Sequence, residues 1–580
     1  MPTPKSILLT VLFVYVLLLM VCPNFGIVDD HQIATMTRVD NDPRFPLAIN
    51  TQNGRFEPLD SQEYTVLGKL FTFTPQLCYA FNAAQLVVFI LIAVLFSSSF
   101  MSLQWAYITT TLLLLSPGFV AAWFRLNVGD RGALFWLLAC IASSERLGRY
   151  GSWGWLVVAA ISGNLSMYYK EPAFAGLAIF SGLELVAALA RRDASRKTLS
   201  HVILLCSTAV FLACYFLLIA RHQTGHYADE RRLISTVQNQ IFSFRSNILV
   251  TNPLLFFVLV PDAFAAGVKA IRTRFVEVTT LDSLSIAGVS YILVISILNL
   301  PPNPYYLLPA YAFGLAPIGR RLSCTDWRAI STRTWILSAL AVIGLCALPT
   351  TWITAVLEKQ PIFALIAMTV FLSGTALSAL LSDPARRICW SLSACLALLC
   401  VVGNQVPAAF NQLAFAKYTP WSFQHFLGEL RLAVKSKKER PCELFVLGSP
   451  RAYALEAYVS IGEYLRLDFE VGRDFDLYSE IPAEKSFVPK PDSPYAVFRT
   501  ATPTPVRPGS LLIGQNLSEA QFRSLSTSAN LLFASSRPYW RYLPSLDSMI
   551  QRMKGTFKRA SAKATTTEYP AVDFCLFVAK

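Results

Sequence analysis

The sequence predicts a mainly α-helical protein: a polytopic transmembrane bundle of about 13 spans followed by a C-terminal α/β domain outside the membrane. Three observations predict it. The chain has 580 residues, 54% of them hydrophobic and 15% charged, with a mean hydropathy of +0.46, and this leaves too little polar material to cover a water-exposed globule. Apolar runs long enough to cross a hydrocarbon core of roughly 30 Å recur as far as residue 410. From Asn411 onward the sequence becomes a mixture of charged and apolar residues with frequent Pro.

The first run, Ser6 to Phe25, follows Lys5. It has the length of a secretory leader, but Val21-Cys22-Pro23-Asn24-Phe25 offers no small-x-small cleavage site, so a retained helix is predicted. Met20 and Val21 are large for a lipid-attachment motif ending at Cys22. Further runs lie at about 82 to 100, 103 to 122, 131 to 146, 152 to 169, 172 to 190 and 201 to 220. Others follow at about 246 to 263, 281 to 299, 305 to 319, 334 to 353, 361 to 381 and 388 to 408. Backbone polar groups in lipid must be satisfied within the segment, so each is read as a helix.

Loop charge tests the count, because one miscounted span would invert every later loop. With Lys5 inside, the inside loops are Arg146 to Arg149, Arg191 to Lys197, Lys269 to Arg274, Arg320 to Arg333 and Asp383 to Arg387, all basic. The outside loops carry Asp29-Asp30, Asn127 to Asp130, Lys170-Glu171-Pro172 and Pro301-Pro302-Asn303-Pro304. An odd number of spans places the C-terminal domain outside, dividing the chain into a transmembrane domain, 1–410, and an extracytoplasmic α/β domain, 411–580. The first outside loop, 27–81, is too long and polar for a connector and suits short amphipathic helices lying on the membrane. The formal charge of +14 sits in short clusters between apolar runs, not in a basic stripe with interleaved aromatics, so nucleic acid is not expected as a partner.

In the C-terminal domain, Glu443 to Gly448 reads as a buried strand and Ala452 to Leu465 as an amphipathic helix. Ser510 to Gly514, Ala529 to Ala534 and Val572 to Val578 are further strand candidates, and Ala560 to Thr567 reads as a loop. Most of the 12 Cys fall inside predicted helices as small apolar residues. Cys442 and Cys575 differ: the first precedes and the second lies in a predicted strand of the outside domain, where an oxidising compartment permits a disulfide between them.

Asp29 and Asp30 follow the first span almost at once, which pins two carboxylates at the outer membrane surface. Adjacent carboxylates are costly to keep charged together unless solvated, paired or bound to a cation, so they are candidates for a base, a metal site or a solvated loop start. His222 and His226 have the i, i+4 spacing of one helical face, and His31 follows the acidic pair; with an Asp they leave a divalent metal open. Tyr305 and Tyr306, in a Pro-rich stretch at the outer interface, read as belt anchors or as lining of a lipid-phosphate or sugar pocket. The chain has no Walker A sequence, Gly-x-Ser-x-Gly elbow, His-Glu-x-x-His helix or Cys-x-x-Cys pair, which argues against an ATP-driven pump and a standard membrane hydrolase.

Asp29-Asp30, then Asn53-Gly54-Arg55-Phe56-Glu57-Pro58-Leu59, then Tyr168-Tyr169-Lys170-Glu171-Pro172, set in this layout of spans, resemble the GT-C superfamily of membrane glycosyltransferases. The resemblance covers the layout of the whole chain and rests on short motifs. It implies inverting transfer of a sugar from a polyprenyl-phosphate donor to a glycan, lipid or protein acceptor of the cell envelope, on the outer face of the cytoplasmic membrane. A carboxylate of the Asp29-Asp30 pair would be the base, with Asp30 favoured, and Asp130 the second acidic residue. Lys170 would stabilise the leaving phosphate, with Arg55, Arg221, Arg231 and Arg232 in reserve and Glu171 fixing Lys170. The rival readings are a transporter or flippase of lipid-linked glycans, and a surface-polysaccharide polymerase or ligase that would depend on Arg231-Arg232.

Overall fold

The computed structural model describes residues 2–26, 30, 33, 49–50, 55–126, 128–221, 247–297, 303–347, 383–437, 442–448, 460–462, 464–465, 471, 475–479, 498–500, 506–517, 519–536, 543–550 and 572–580. Three helices begin at a hydroxyl residue followed by Pro. Thr3 caps α1 (Pro4–Met20), accepting from the Ser6 amide at 3.2 Å. After α2 (Gln62–Leu70), Thr74 caps α3 (Pro75–Ser97) through the Leu77 amide at 3.3 Å. Beyond α4 (Leu103–Leu114), Ser116 caps α5 (Pro117–Phe124) through the Phe119 amide at 3.2 Å. In each the hydroxyl satisfies an otherwise orphaned amide, and Pro occupies the first turn, where its missing N–H costs nothing. The second predicted span therefore starts at Pro75 and not near residue 82.

The bundle continues with α6 (Gly129–Tyr150), α7 (Trp153–Tyr169), α8 (Ala173–Arg191) and α9 (Arg196–Tyr215). Then come α10 (Val260–Arg272), α11 (Thr280–Ile297), α12 (Ala310–Cys324) and α13 (Thr332–Ala347). Helix α14 (Asp383–Cys400) passes through a π turn, Val401–Gln405, into α15 (Val406–Ser436), so Asn411 lies inside a helix. Helix overlaps each predicted span except the one at 361 to 381, which lies outside the described residues together with the ends of those at 246 to 263, 281 to 299 and 334 to 353.

Among the described residues, four helical stretches are long and apolar enough to cross a membrane unaided: Pro75–Ser97, Ala173–Arg191, Arg196–Ile219 and Ile388–Ser436. A fifth is α4 with α5, bent by 69° between them. Helix α6 carries Asp130, Arg131, Glu145, Arg146 and Arg149, and α12 holds Pro317 and is almost wholly buried, so neither reads as a simple apolar span. On α3 one face is buried, with Leu86, Phe89 and Ile90, while Val87, Val88, Leu91 and Leu95 lie 41–53% exposed. Similar exposed rows run along α7 (Val157, Ile161) and α13 (Ile336, Leu337, Leu340). Such rows need lipid as solvent, and the helical domain is a membrane domain.

The C-terminal sheet contains β3 (Cys442–Gly448), β4 (Phe475–Ser479), β5 (Phe498–Thr500), β6 (Leu511–Leu517), β7 (Ala529–Ser536) and β8 (Val572–Ala579) in the order β5-β4-β3-β6-β8-β7. Strands β1 (Ile49–Asn50) and β2 (Arg55–Phe56) form a separate short pair in the first loop. In the six-stranded sheet β3 to β6 pair parallel, and β8 runs antiparallel to both β6 and β7. The α/β expectation holds for this sheet and for α16 (Glu519–Ser528). The domain sits on α15, whose Phe423 and Phe426 lie 5.6 and 5.4 Å from the Phe574 ring of β8.

The disulfide that an oxidising compartment would permit does not form: Cys442 and Cys575 are both buried thiols. Strand β6 lies between their strands, and two strand spacings, about 9–10 Å, exceed what a disulfide spans. Burial pushes the Cys575 thiol up to about 12.

Candidate active site

Helices α6 and α7 pack along their length, which brings the start of α6 beside the end of α7. The first loop folds onto that junction. The Leu59 amide donates to the Tyr168 carbonyl at 3.1 Å, and the Phe56 amide to Glu171 Oε1 at 2.8 Å. Lys170, at the C-terminal end of α7, is 5% exposed. Its Nζ lies 2.7 Å from Glu57 and 3.7 Å from Asp130, and 5.5 Å from the centre of the Tyr306 ring.

A second ion pair adjoins the first. Arg131 contacts Glu63 at 2.7 Å, and the Tyr169 hydroxyl donates to the other Glu63 oxygen at 2.9 Å. The Arg131 guanidinium also donates to the Arg125 carbonyl at 3.3 Å and covers the Tyr64 ring at 5.3 Å. Tyr64 in turn donates to Asn82 of α3 at 2.6 Å. Two glycines permit this crowding. A Cβ on Gly129 would stand 2.6 Å from the Tyr169 carbonyl and 3.1 Å from the Asp60 carboxyl, and one on Gly132 would stand 2.2 Å from the Tyr169 ring.

The cluster gathers Glu57, Asp60, Glu63, Asp130 and Glu171 around Lys170 and Arg131. Burial, and then the neighbouring charge of Glu57, push the Asp60 carboxyl up to about 8 against the opposing pull of Lys170. Asp60 thus holds a proton near neutral pH. Tyr291 of α11 feels the charges of Asp130, Lys170, Glu171 and Glu57, and its fully buried hydroxyl has no hydrogen-bond partner among the described residues. Arg125 lies at 5.8 Å from the Tyr305 ring, and burial raises the Tyr305 hydroxyl.

Asp30 lies near this cluster, just beyond the end of α1. It is buried and accepts from the Gly26 amide at 2.6 Å. Cys78, in the first turn of α3, feels both Asp30 and the Arg131–Glu63 pair, so the two groups face the same end of the bundle. Here α15 and the sheet domain hold the exit of α1. Lys417 donates to the Val21 carbonyl at 2.7 Å, Gln424 to Phe25 at 3.1 Å and the Tyr464 hydroxyl to Gly26 at 3.0 Å.

Of the residues singled out in the sequence, Asp130, Lys170, Glu171, Tyr305 and Tyr306 meet in one cluster, and Asp30 stands beside it. Arg221 is exposed and is not among the residues of this cluster. Arg55 is described only as backbone in β2, and Asp29, His31, His222, His226, Arg231 and Arg232 lie outside the described residues. No group of three or more metal-ligating side chains occurs among the described residues. In the sequence Glu57 stands only within the Asn53 to Leu59 motif, and Asp60, Glu63 and Arg131 carry no role. The one signal for the acids is their spacing, three apart at Glu57, Asp60 and Glu63, inside the polar first loop.

No family model and no curated protein matches the chain. Among solved structures it is similar to ArnT from Cupriavidus metallidurans bound to undecaprenyl phosphate, at 13% identity over 98% of this chain and 97% of that one, with a TM-score of 0.42. The apo state of the same protein aligns at 14% identity over 93% and 98%, with a TM-score of 0.43. The oligosaccharyltransferase of Archaeoglobus fulgidus in its apo form aligns at 12% identity over 99% and 88%, with a TM-score of 0.42.

Proposed function

We propose that this protein is a membrane glycosyltransferase of the GT-C type, moving a sugar from a polyprenyl-phosphate donor to an acceptor hydroxyl or amide on the outer side of the cytoplasmic membrane. The observation that carries the reading is the buried group of Glu57, Asp130 and Lys170, with the partly buried Asp60 against it, set beside Asp30 at one end of an apolar bundle. A donor held by its lipid would present its sugar at that level. The acceptor attacks the anomeric carbon, its proton passes to a carboxylate, and the bond to the phosphate breaks with its electron pair leaving on the polyprenyl phosphate. Asp30 or Asp130 serves as the base, and Lys170, with Arg125 at the rim, faces the phosphate. The basic opposite end, with Arg149, Arg191, Arg196, Lys197 and Lys269, supports an outward-facing cluster by the positive-inside rule.

A transporter would place ionisable residues at broken helices near mid-membrane. Among the described residues, the buried ions outside the cluster instead sit at the basic end, where Glu184 near the end of α8 pairs with Lys197 at 2.8 Å. The test uses membranes containing D30N, D60N or D130N protein and a panel of labelled polyprenyl-phosphate sugars. A large loss of transfer in at least one variant is expected; undiminished transfer in all three removes the carboxylate mechanism.

A further inference from the structure

The sheet domain sends one segment back down the bundle. Residues 543–550 run along the start of α15 and the π turn before it. The side-chain amide of Asn411 brackets Leu543, donating to its carbonyl at 2.9 Å and accepting from its amide at 2.6 Å. The Asp547 amide donates to Asn404 Oδ1 at 2.8 Å, and a Cβ on Gly403 would meet Leu546 Cβ at 3.5 Å. These contacts lie within Ile388–Ser436, one of the apolar spans.

The depth of that contact follows from two more hydrogen bonds. Gln405 donates to the carbonyls of Leu112 and Leu115, and the Tyr15 hydroxyl donates to Leu114 between them. Asn404 and Gln405 therefore stand level with Tyr15 of α1. Tyr15 lies five residues before Met20, the last residue of α1, which at the helical rise is about 7 Å inside the end of that span. A segment docked there lies below the membrane surface that α1 defines.

Its exposed side chains match that position. Leu543 and Met549 are 48% and 43% exposed, and beside their docking residues Val402 and Phe410 are 71% and 49% exposed. Whatever solvent covers Val402 and Phe410 also covers Leu543 and Met549. The surrounding sequence supplies the charge for an anionic surface: Arg541 precedes the segment and Arg552, Lys554, Lys558 and Arg559 follow, while Asp547 is its one acid. Apolar residues followed by a basic stretch are the composition of an interfacial anchor.

We propose that residues 543–550 dip into the outer leaflet, so that the C-terminal domain is anchored to anionic lipid as well as to α15. The anchor keeps the domain seated against the bilayer independently of any sugar chemistry, and it stands or falls apart from the glycosyltransferase reading.

The test uses the full-length protein in lipid nanodiscs, with Cys22, Cys206, Cys214, Cys324 and Cys389 replaced by Ser and one nitroxide introduced at M549C. Collision rates with oxygen and with a water-soluble nickel chelate report depth. The expected oxygen-to-nickel ratio is several-fold above that of a label at S526C on the exposed face of α16 and close to that of a label at V402C. A ratio at 549 equal to that at 526 overturns the proposal. If M549C does not fold, S548C, next to the Asp547–Asn404 contact, gives the same readout. Replacing anionic by zwitterionic lipid should lower the ratio at 549; an unchanged ratio overturns the electrostatic half of the proposal.

Discussion

The two ends of the helical bundle use the same residue types to opposite purposes. At the basic end, three of the described pairs stand singly and half in water: Arg149–Glu145, Lys269–Asp282 and Arg321–Asp262 have basic side chains 32–41% exposed, and the more buried pair there is Lys197–Glu184. Pairs of that kind contribute little to stability, and their positive members serve orientation in the membrane. At the acidic end, Lys170 with Glu57 and Asp130, and Arg131 with Glu63, are all no more than 9% exposed and share neighbours. Burying such charges costs more desolvation than their attraction returns in most settings. The proposed sugar transfer gives such a cluster a use that the stability of the bundle alone does not.

The contrast can be broken by removing one cation from each end. Lys170→Met leaves Glu57 and Asp130 buried around a missing charge and should lower stability by about 3–5 kcal/mol, read as a large drop in the thermal midpoint in detergent. Asp130→Asn keeps the shape and should fold, yet transfer from a labelled polyprenyl-phosphate sugar should fall by about 100-fold or more if Asp130 handles the proton. Gly132→Ala drives a methyl into the Tyr169 ring and should cost about 1–3 kcal/mol, seen in the same melting assay. Arg149→Ala, at the other end, should stay within about 0.5 kcal/mol of the parent. A melting shift for Arg149→Ala equal to that of Lys170→Met would erase the distinction between the ends.

A pH series sharpens the same comparison. The folded Asp60 carboxyl releases its proton at about 8 against a usual 3.8, so the folded state holds a proton that the unfolded chain has already lost. Its contribution to stability is full below the usual value and is lost as pH rises towards 8. Measured against the D60N variant, the parent should therefore lose melting temperature steadily across that window. A parallel pair of curves would show that Asp60 titrates normally.

Helix positions were legible because an apolar run of sufficient length has one solution in lipid, and α2 appeared where the first loop was too polar to be a plain connector. Strand existence was legible too: β3, β6, β7 and β8 fall on the predicted runs. Strand order was not. Nothing in Cys442 or Cys575 says that β6 will stand between them, and the disulfide expectation failed there. The cluster was half legible. Asp30, Asp130 and Lys170 stand out because charges beside apolar spans are rare. Glu57, Asp60, Glu63 and Arg131 become neighbours of Lys170 only when α6 and α7 pack and the first loop folds across them, a convergence no local spacing encodes.

The bond from Tyr464 to Gly26 joins residues 438 apart in sequence. Lys417 and Gln424 hold Val21 and Phe25 across 396 and 399 residues in the same way, so the turn that leads to Asp30 is held by partners synthesised long after it, and a nascent chain shorter than 464 residues lacks the last of these contacts.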